Sequence, residues 1–267
     1  MKEKSGKTLT DVQAVYSGAE GTLWEMLMGE QIHVGGAASS EELAQLAGIR
    51  QGQRVLDLCS ALGAGLRFLV RSYGVRGCGL DGTRHMIEEA RRRTEADGHS
   101  EMIEHRLGNV EQIPWDDRSF DVVWGEDAWC YVENKPAMIS EAARVLKSGG
   151  TIAFTDWTEG PSGLAEEDGL RICTFMKFPY VESREGYEEL LAANGFELES
   201  SEDLTEDFAD WIDYYIRTVG RQKTFDALRI IGWDMDLFGA MAAEMKFMAE
   251  KAHQGSFGRS RLVARKR

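Results

Sequence analysis

A chain of 267 residues has room for one large α/β domain with elaborations and is short for two complete ones. Its 31 lysines and arginines against 45 acids leave a net charge of −14, which argues against nucleic acid or an anionic membrane as principal partner. The four cysteines, Cys59, Cys78, Cys130 and Cys173, stand far apart with no Cys-x-x-Cys, and read as reduced, mostly buried thiols of a cytoplasmic protein. No metal site, signal-peptide core or bilayer-spanning run is expected.

Taken in order, residues 8–47 read as an N-terminal helical cap, with Val12, Val15, Tyr16, Leu23, Trp24 and Leu27 at helical spacing. The glycine-rich stretch 29–36, which holds His33, breaks it, and Ser39 and Ser40 mark a new helix start. At 54–65 an apolar run, Val55, Leu56 and Leu58, carries Asp57 into a small-residue turn ending at Gly63, and an amphipathic stretch follows. That is the strand, turn and helix start of a nucleotide-binding βα unit, where backbone N–H groups and the helix N-terminus face a ligand. Further strands are expected at 77–80, ending at Asp81, and at 104–107, 120–124 and 151–156. Helices are expected at 86–94 and 137–146, with a turn at 147–150. Strands alternating with helices predict a parallel sheet with right-handed crossovers. Beyond Trp157 the pattern changes: Ser183 caps a helix at 184–194, a strand occupies 196–202, a long helical region runs over 208–252, and a strand closes the chain at 256–264. The basic run from Arg259 to Arg267 reads as a solvated strand end. A helical insert between the last two strands would lie over the sheet's C-terminal edge, where open α/β folds bind ligands.

The whole series resembles the class I S-adenosylmethionine-dependent methyltransferases. It comprises Val-Leu-Asp-Leu ending at Leu58, Gly-Leu-Asp ending at Asp81, Gly-Asn-Val-Glu from Gly108, Ser-Phe-Asp-Val-Val-Trp ending at Trp124, and Arg-Val-Leu-Lys-Ser-Gly-Gly ending at Gly150. More narrowly, Gly-Glu-x-Ile-His-Val-Gly from Gly29, Arg-Phe-Leu-Val from Arg67, and Asp127 with Ala128 are similar to the glycine, sarcosine and dimethylglycine N-methyltransferase group. The resemblance implies an α/β fold: a Rossmann-like sheet, mostly parallel with the last strand antiparallel. It implies a cap at 1–50, a cofactor-binding core at 51–204 and 256–267, and a helical insert or lid at 205–255.

It also implies roles. Asp57, Cys59, Ala61 and Gly63 would face the methionine part of S-adenosylmethionine. Asp81 would accept from the ribose hydroxyls, with Gly82 and Met86 beside it, and Asn109 and Val110 would meet the adenine. Glu126 and Asp127 would sit nearest the sulfonium and the acceptor, and with His33 would take or position the acceptor's proton. Tyr16, Trp24, His33, Trp129, Tyr131, Tyr180, Trp211 and Tyr215 are the substrate-binding candidates, a subset of the aromatics forming a cage for an ammonium group. Tyr16, Trp129 and Tyr131 are preferred; the alternative for each aromatic is the core, and for His33 a hydrogen-bonded loop histidine. Cys59 and Ala61 depart from the family's Gly-x-Gly-x-Gly turn. The expected function is methyl transfer to nitrogen of a small amine or amino acid. The alternatives are a carbon, oxygen or sulfur acceptor, or a noncatalytic binder that kept the fold. The expected partner is a small-molecule acceptor, with no nucleic acid and no membrane; a homodimer is admitted.

Overall fold

The computed structural model describes residues 4–267. The cap is three helices, α1 (Leu9–Tyr16), α2 (Ala19–Met28) and α3 (Gly36–Leu46). Thr8 and Asp11 close the N-terminus of α1, the Thr8 N–H donating to Asp11 Oδ2 at 2.9 Å. Between α2 and α3 the backbone takes positive φ at Gly29, Ile32, Gly35 and Gly36. The glycines therefore let the chain fold back sharply and carry His33 inward.

The core follows as β1 (Arg54–Leu58), α4 (Ala64–Tyr73), β2 (Arg76–Asp81), α5 (Arg84–Ala96), β3 (Ile103–Leu107), β4 (Phe120–Glu126), α6 (Lys135–Val145) and β5 (Leu146–Glu159). Next come α7 (Glu166–Met176), β6 (Glu182–Ser183), α8 (Arg184–Ala193), β7 (Phe196–Asp203), α9 (Thr205–Arg221), α10 (Thr224–Ile230), α11 (Met235–His253) and β8 (Phe257–Lys266). The sheet runs β3-β2-β1-β4-β5-β8-β7, with β8 antiparallel to both neighbours and β6 paired to β5. The chain travels outward from β1 to β3 and returns beside β1 as β4, so the strand order reverses between β1 and β4, where such folds bind ligands. Asp57, Asp81 and Glu126 lie at or near the C-terminal ends of β1, β2 and β4 and so reach one edge together.

Both faces of the sheet are covered. Leu56, Leu58, Trp129, Phe154 and Tyr187 pack on one side, and Val55, Leu66, Leu69 and Trp124 on the other, as the period-two alternation of a strand requires. A third cluster joins cap to insert around Trp24, Trp157, Phe208 and Phe257.

Three expectations change. β5 begins at Leu146 rather than after residue 150, and Leu146 pairs with Phe120 across an irregularity in the ladder. The long helical region breaks twice, after Arg221 and around Gly232 and Trp233, which both have positive φ. The basic C-terminal run is not a solvated strand end: β8 lies between β5 and β7, and Arg259 and Arg261 are buried. Helix α7 was not anticipated; its signal is three acids, Glu166, Glu167 and Asp168, in the first turn ahead of an apolar face. Among the described residues no helix is long and apolar enough to cross a membrane.

Candidate active site

The turn after β1 is held in an unusual backbone conformation. Cys59 and Ala61 both have positive φ, 62° and 42°, as does Gly63 at 69°. Left-handed backbone costs a residue with a Cβ roughly 1–2 kcal/mol, so the turn is strained at two of its three family glycine positions. Hydrogen bonds hold it there. The N–H groups of Cys59 and Ser60 donate to the Leu80 carbonyl at 2.8 and 3.1 Å, and the Ala61 N–H donates to Asp81 Oδ2 at 2.9 Å. At Gly63 no side chain fits: a Cβ would lie 2.5 Å from His105 Cε1, and His105 is itself tied to Thr94 Oγ1 at 2.9 Å.

Around this turn opens a cleft of about 1030 Å³, the open solvent at its mouth included. Asp57, Cys59, Ala61, Asp81, Gly82, Met86, Asn109, Val110 and Glu126 line it. Gly63 does not; it caps α4 behind the turn. Asp81 Oδ1 also accepts from the Thr83 N–H at 2.7 Å, so the carboxylate organises the turn while each oxygen keeps further acceptor capacity. Asn109 is committed differently from expectation, its Oδ1 accepting from the Glu111 N–H at 2.9 Å, a local turn that leaves its amide NH₂ as donor. The Asp57 carboxyl has no hydrogen-bond partner among the described residues; burial first, then the nearby Glu126 and Asp81, push its pKa well above the ordinary carboxylate range.

Glu126 and His33 form a buried network. Ser40 Oγ donates to Glu126 Oε1 at 2.8 Å, Trp124 Nε1 donates to Oε2 at 3.0 Å, and His33 Nε2 lies 3.1 Å from Ser40 Oγ and 3.3 Å from Oε1. Nε2 thus meets the Ser40 hydroxyl, which donates to the carboxylate, while Nδ1 faces the Val34 carbonyl at 3.1 Å. Both ring nitrogens are engaged inside this network. His33 does not offer a free lone pair to the cleft, and the expectation that it serves as general base is corrected on that ground.

Asp127 is a structural latch. Its Oδ1 accepts from Arg259 Nε at 2.7 Å and its Oδ2 from the Val34 N–H at 2.9 Å, joining the cap to β8. Arg259 also donates to Ser39 Oγ and Thr155 Oγ1, both at 3.0 Å. Burial alone would raise the Asp127 pKa; Arg259, then His33 and the Val34 N–H, overcome it and hold the carboxyl below its ordinary value. The expected proton-taking role of Asp127 is corrected accordingly: both its oxygens are occupied. Arg259 and Ser40 were missed from sequence. Arg259 sits among other basic residues, and Ser40 reads as an ordinary helix-start serine.

Beside the cleft lies a small aromatic recess lined by Tyr16, Trp24, Tyr131, Trp157 and Phe178, with Asp127 at its wall. Tyr16, Ile32, Asp127 and Tyr131 border both spaces. The Tyr16 and Tyr131 hydroxyls meet at 3.0 Å, and burial raises both phenols' pKa, so they stay protonated. Trp129 is corrected to a core residue: fully buried, it stacks on Phe154 at 4.2 Å and donates from Nε1 to the Leu58 carbonyl. Tyr180 is turned away from both spaces, its ring 3.8 Å from the buried Lys135 Nζ. Trp211 is half-buried on α9 against Tyr214 and Tyr215, and Tyr215 lines a separate cavity in the insert. All three rings lie on α9, and neither Trp211 nor Tyr215 lines the cleft.

Sequence comparison matches residues 56–154 to a methyltransferase domain. Over 153 residues the chain is 32% identical to the glycine/sarcosine/dimethylglycine N-methyltransferase of Actinopolyspora halophila, covering 53% of this chain and 27% of that protein. The chain spans about a quarter to a half of the length of the curated relatives it matches. Among solved structures, a putative sarcosine dimethylglycine methyltransferase from Galdieria sulphuraria superposes with a TM-score of 0.83 at 19% identity, over 95% of this chain and 98% of that one. Phosphoethanolamine N-methyltransferase 2 of Haemonchus contortus, in complex with S-adenosyl-L-methionine, superposes with a TM-score of 0.85 at 20% identity, over 97% and 60%. The fold is that of the class I S-adenosylmethionine-dependent methyltransferases. Within that fold, residues 56–154 are the stretch that matches the methyltransferase domain, and the Haemonchus contortus protein is the one solved with S-adenosyl-L-methionine.

Proposed function

We propose that the chain transfers a methyl group from S-adenosylmethionine to the nitrogen of a small amine or amino acid of the sarcosine or dimethylglycine kind. The observation that carries this reading is the aromatic recess opening beside the cleft, with a carboxylate at its wall. Aromatic faces and a fixed negative charge favour a nitrogen that becomes positive as it is alkylated.

The residues present fit the cofactor. Acids dominate the cleft: Glu30, Asp57, Asp81, Glu111, Glu126, Asp127 and Glu133 line it, while among the described residues His33 is its one basic lining residue. When bound, S-adenosylmethionine supplies a methyl group on a sulfonium. Asp57, free of partners, would hold the methionine ammonium; Asp81 would take the ribose diol with its remaining acceptor capacity; Val110 and Met86 would flank the adenine, and the Asn109 amide would donate to it. Tyr16 and Tyr131 would orient the acceptor nitrogen by hydrogen bonding and by their ring faces. Glu126 and Asp127, already paired, would act through their charge and by fixing the cap rather than by moving protons. The amine would shed its proton to water before it is seated.

The test is incubation with S-adenosylmethionine and a panel containing glycine, sarcosine, dimethylglycine and simple amines, read by mass spectrometry with fragmentation. A gain of one methyl located on nitrogen supports the reading. Methylation confined to carbon, oxygen or sulfur acceptors would overturn it.

A further inference from the structure

Behind the aromatic recess, helices α2, α9, α10 and α11 enclose a second cavity of about 910 Å³, its mouth included. Its wall is almost wholly apolar: Leu27, Ile216, Phe238 and Met241 are typical, and among the described residues no acid lines it and Lys246 is its one charged residue. Small residues create the space. Gly220, Ala227 and Ala242 stand where longer side chains would meet across it, and a Cβ at Gly220 would touch nothing within 4 Å. Protein interiors otherwise pack to crystal density, so an open space with this apolar lining is suited to an apolar ligand.

Two further features give the cavity a direction. Trp24 lines both it and the aromatic recess, so one ring partitions the two. Helices α10 and α11 and the break between them display exposed apolar residues, Phe225 at 65%, Trp233 at 52% and Met235 at 61%, with Phe225 and Trp233 in edge contact at 5.2 Å. Exposed apolar clusters of this kind mark places where apolar molecules or partners arrive.

We infer that the acceptor is an amine bearing an aliphatic chain, its nitrogen in the recess beside Asp127 and its chain lodged past Trp24 in the insert cavity. This rests on the proposed amine methyl transfer and narrows its substrate class. The orientation follows from charge: the nitrogen, which turns positive as it is alkylated, finds an acid and aromatic faces in the recess, and apolar wall and a lysine in the cavity.

The experiment measures kcat/KM for N,N-dimethylalkylamines with chains of two to eight carbons, beside dimethylglycine. Burial of each added methylene should raise kcat/KM about fourfold, mainly through KM, until the cavity is full. Ala242→Phe, which fills the cavity, should flatten the series while calorimetry shows unchanged cofactor affinity. If that variant fails to fold, Gly220→Leu reaches the same space from a position with no neighbour to displace. A flat series in the unmodified protein overturns the inference and leaves amine methylation standing, and so does a gradient that survives filling. If no amine of any length gains a methyl group, the amine reading itself falls and the narrower class with it.

Discussion

Replacing Asp127 by asparagine separates a structural latch from a proton carrier. The side chain keeps its shape and can still accept from the Val34 N–H, but Arg259 is left as a buried, uncompensated cation, both partners being 1% exposed. Breaking one side of a buried pair costs about 3–5 kcal/mol. At about 2–4 °C per kcal/mol for a domain of this size, the midpoint of thermal unfolding should fall by roughly 6–20 °C. Circular dichroism melts of the variant, of Arg259→Met and of the double variant would measure this. The double variant should recover most of the loss, because no charge is then stranded. At a temperature where the single variant is folded, kcat should stay within a fewfold of the unmodified protein, with the acceptor's KM raised. A loss below about 1 kcal/mol with turnover reduced a thousandfold would refute the latch and restore Asp127 as the group that moves a proton. Failure of the double variant to recover would refute the charge argument.

Other outcomes follow from the same geometry. Gly63→Ala must adopt φ near +69° with its Cβ against His105, and should cost at least about 2 kcal/mol in urea unfolding; a neutral effect would mean the turn is looser than described. Cys59→Gly with Ala61→Gly relieves strain of roughly 1–2 kcal/mol per residue against a glycine entropy cost of about 0.5–1 kcal/mol each. Stability should therefore rise by about 1 kcal/mol and cofactor affinity should increase; weaker binding would contradict the picture of the turn. His105 is buried, and burial first, then Arg67 and Arg91, lower its pKa from 6.5 to about 4. The unfolded chain takes up that proton first, so His105 contributes stability above pH 6.5 that is lost as pH falls toward 4, on the order of 3 kcal/mol. Asp156, raised by burial to about 6, acts in the opposite sense, favouring the fold at low pH and losing that contribution as pH rises from 3.8 to 6. The two oppose each other in the unmodified protein. His105→Gln should therefore expose a stability that declines from pH 4 to 6, and a melt midpoint that still rises across that range would contradict the assignment.

The alternation of short apolar strands with amphipathic helices, and the acids closing three of those strands, carried the sheet and the cofactor edge directly. Strand termini are short-range features: Asp57, Asp81 and Glu126 each end or nearly end an apolar run, and the parallel topology brings such ends to one side. The strain at Cys59 and Ala61 was legible too, as glycine positions filled by residues with a Cβ. What sequence could not supply were the pairings made across it. Nothing local distinguishes Arg259 from the basic residues around it; only burial of β8 between two strands turns it toward Asp127. Ser40 likewise becomes a bridge between His33 and Glu126 only when α3 packs on α4 and β5, beside the end of β4. The aromatic residues divided for the same reason. Tyr16, Trp24 and Tyr131 lie on segments that meet over the cleft edge, whereas Trp129 is driven into the core by the turn that follows β4. Helical spacing places an aromatic on a face without saying which neighbour that face will meet.

Calorimetric titration with S-adenosylmethionine, and then with S-adenosylhomocysteine, tests the central claim most directly, since every assigned role depends on the cleft accepting that cofactor. The account predicts one site per chain with micromolar affinity for both, lowered at least tenfold by Asp57→Asn for want of the free carboxylate. No heat at millimolar cofactor, or binding indifferent to Asp57→Asn, would contradict it.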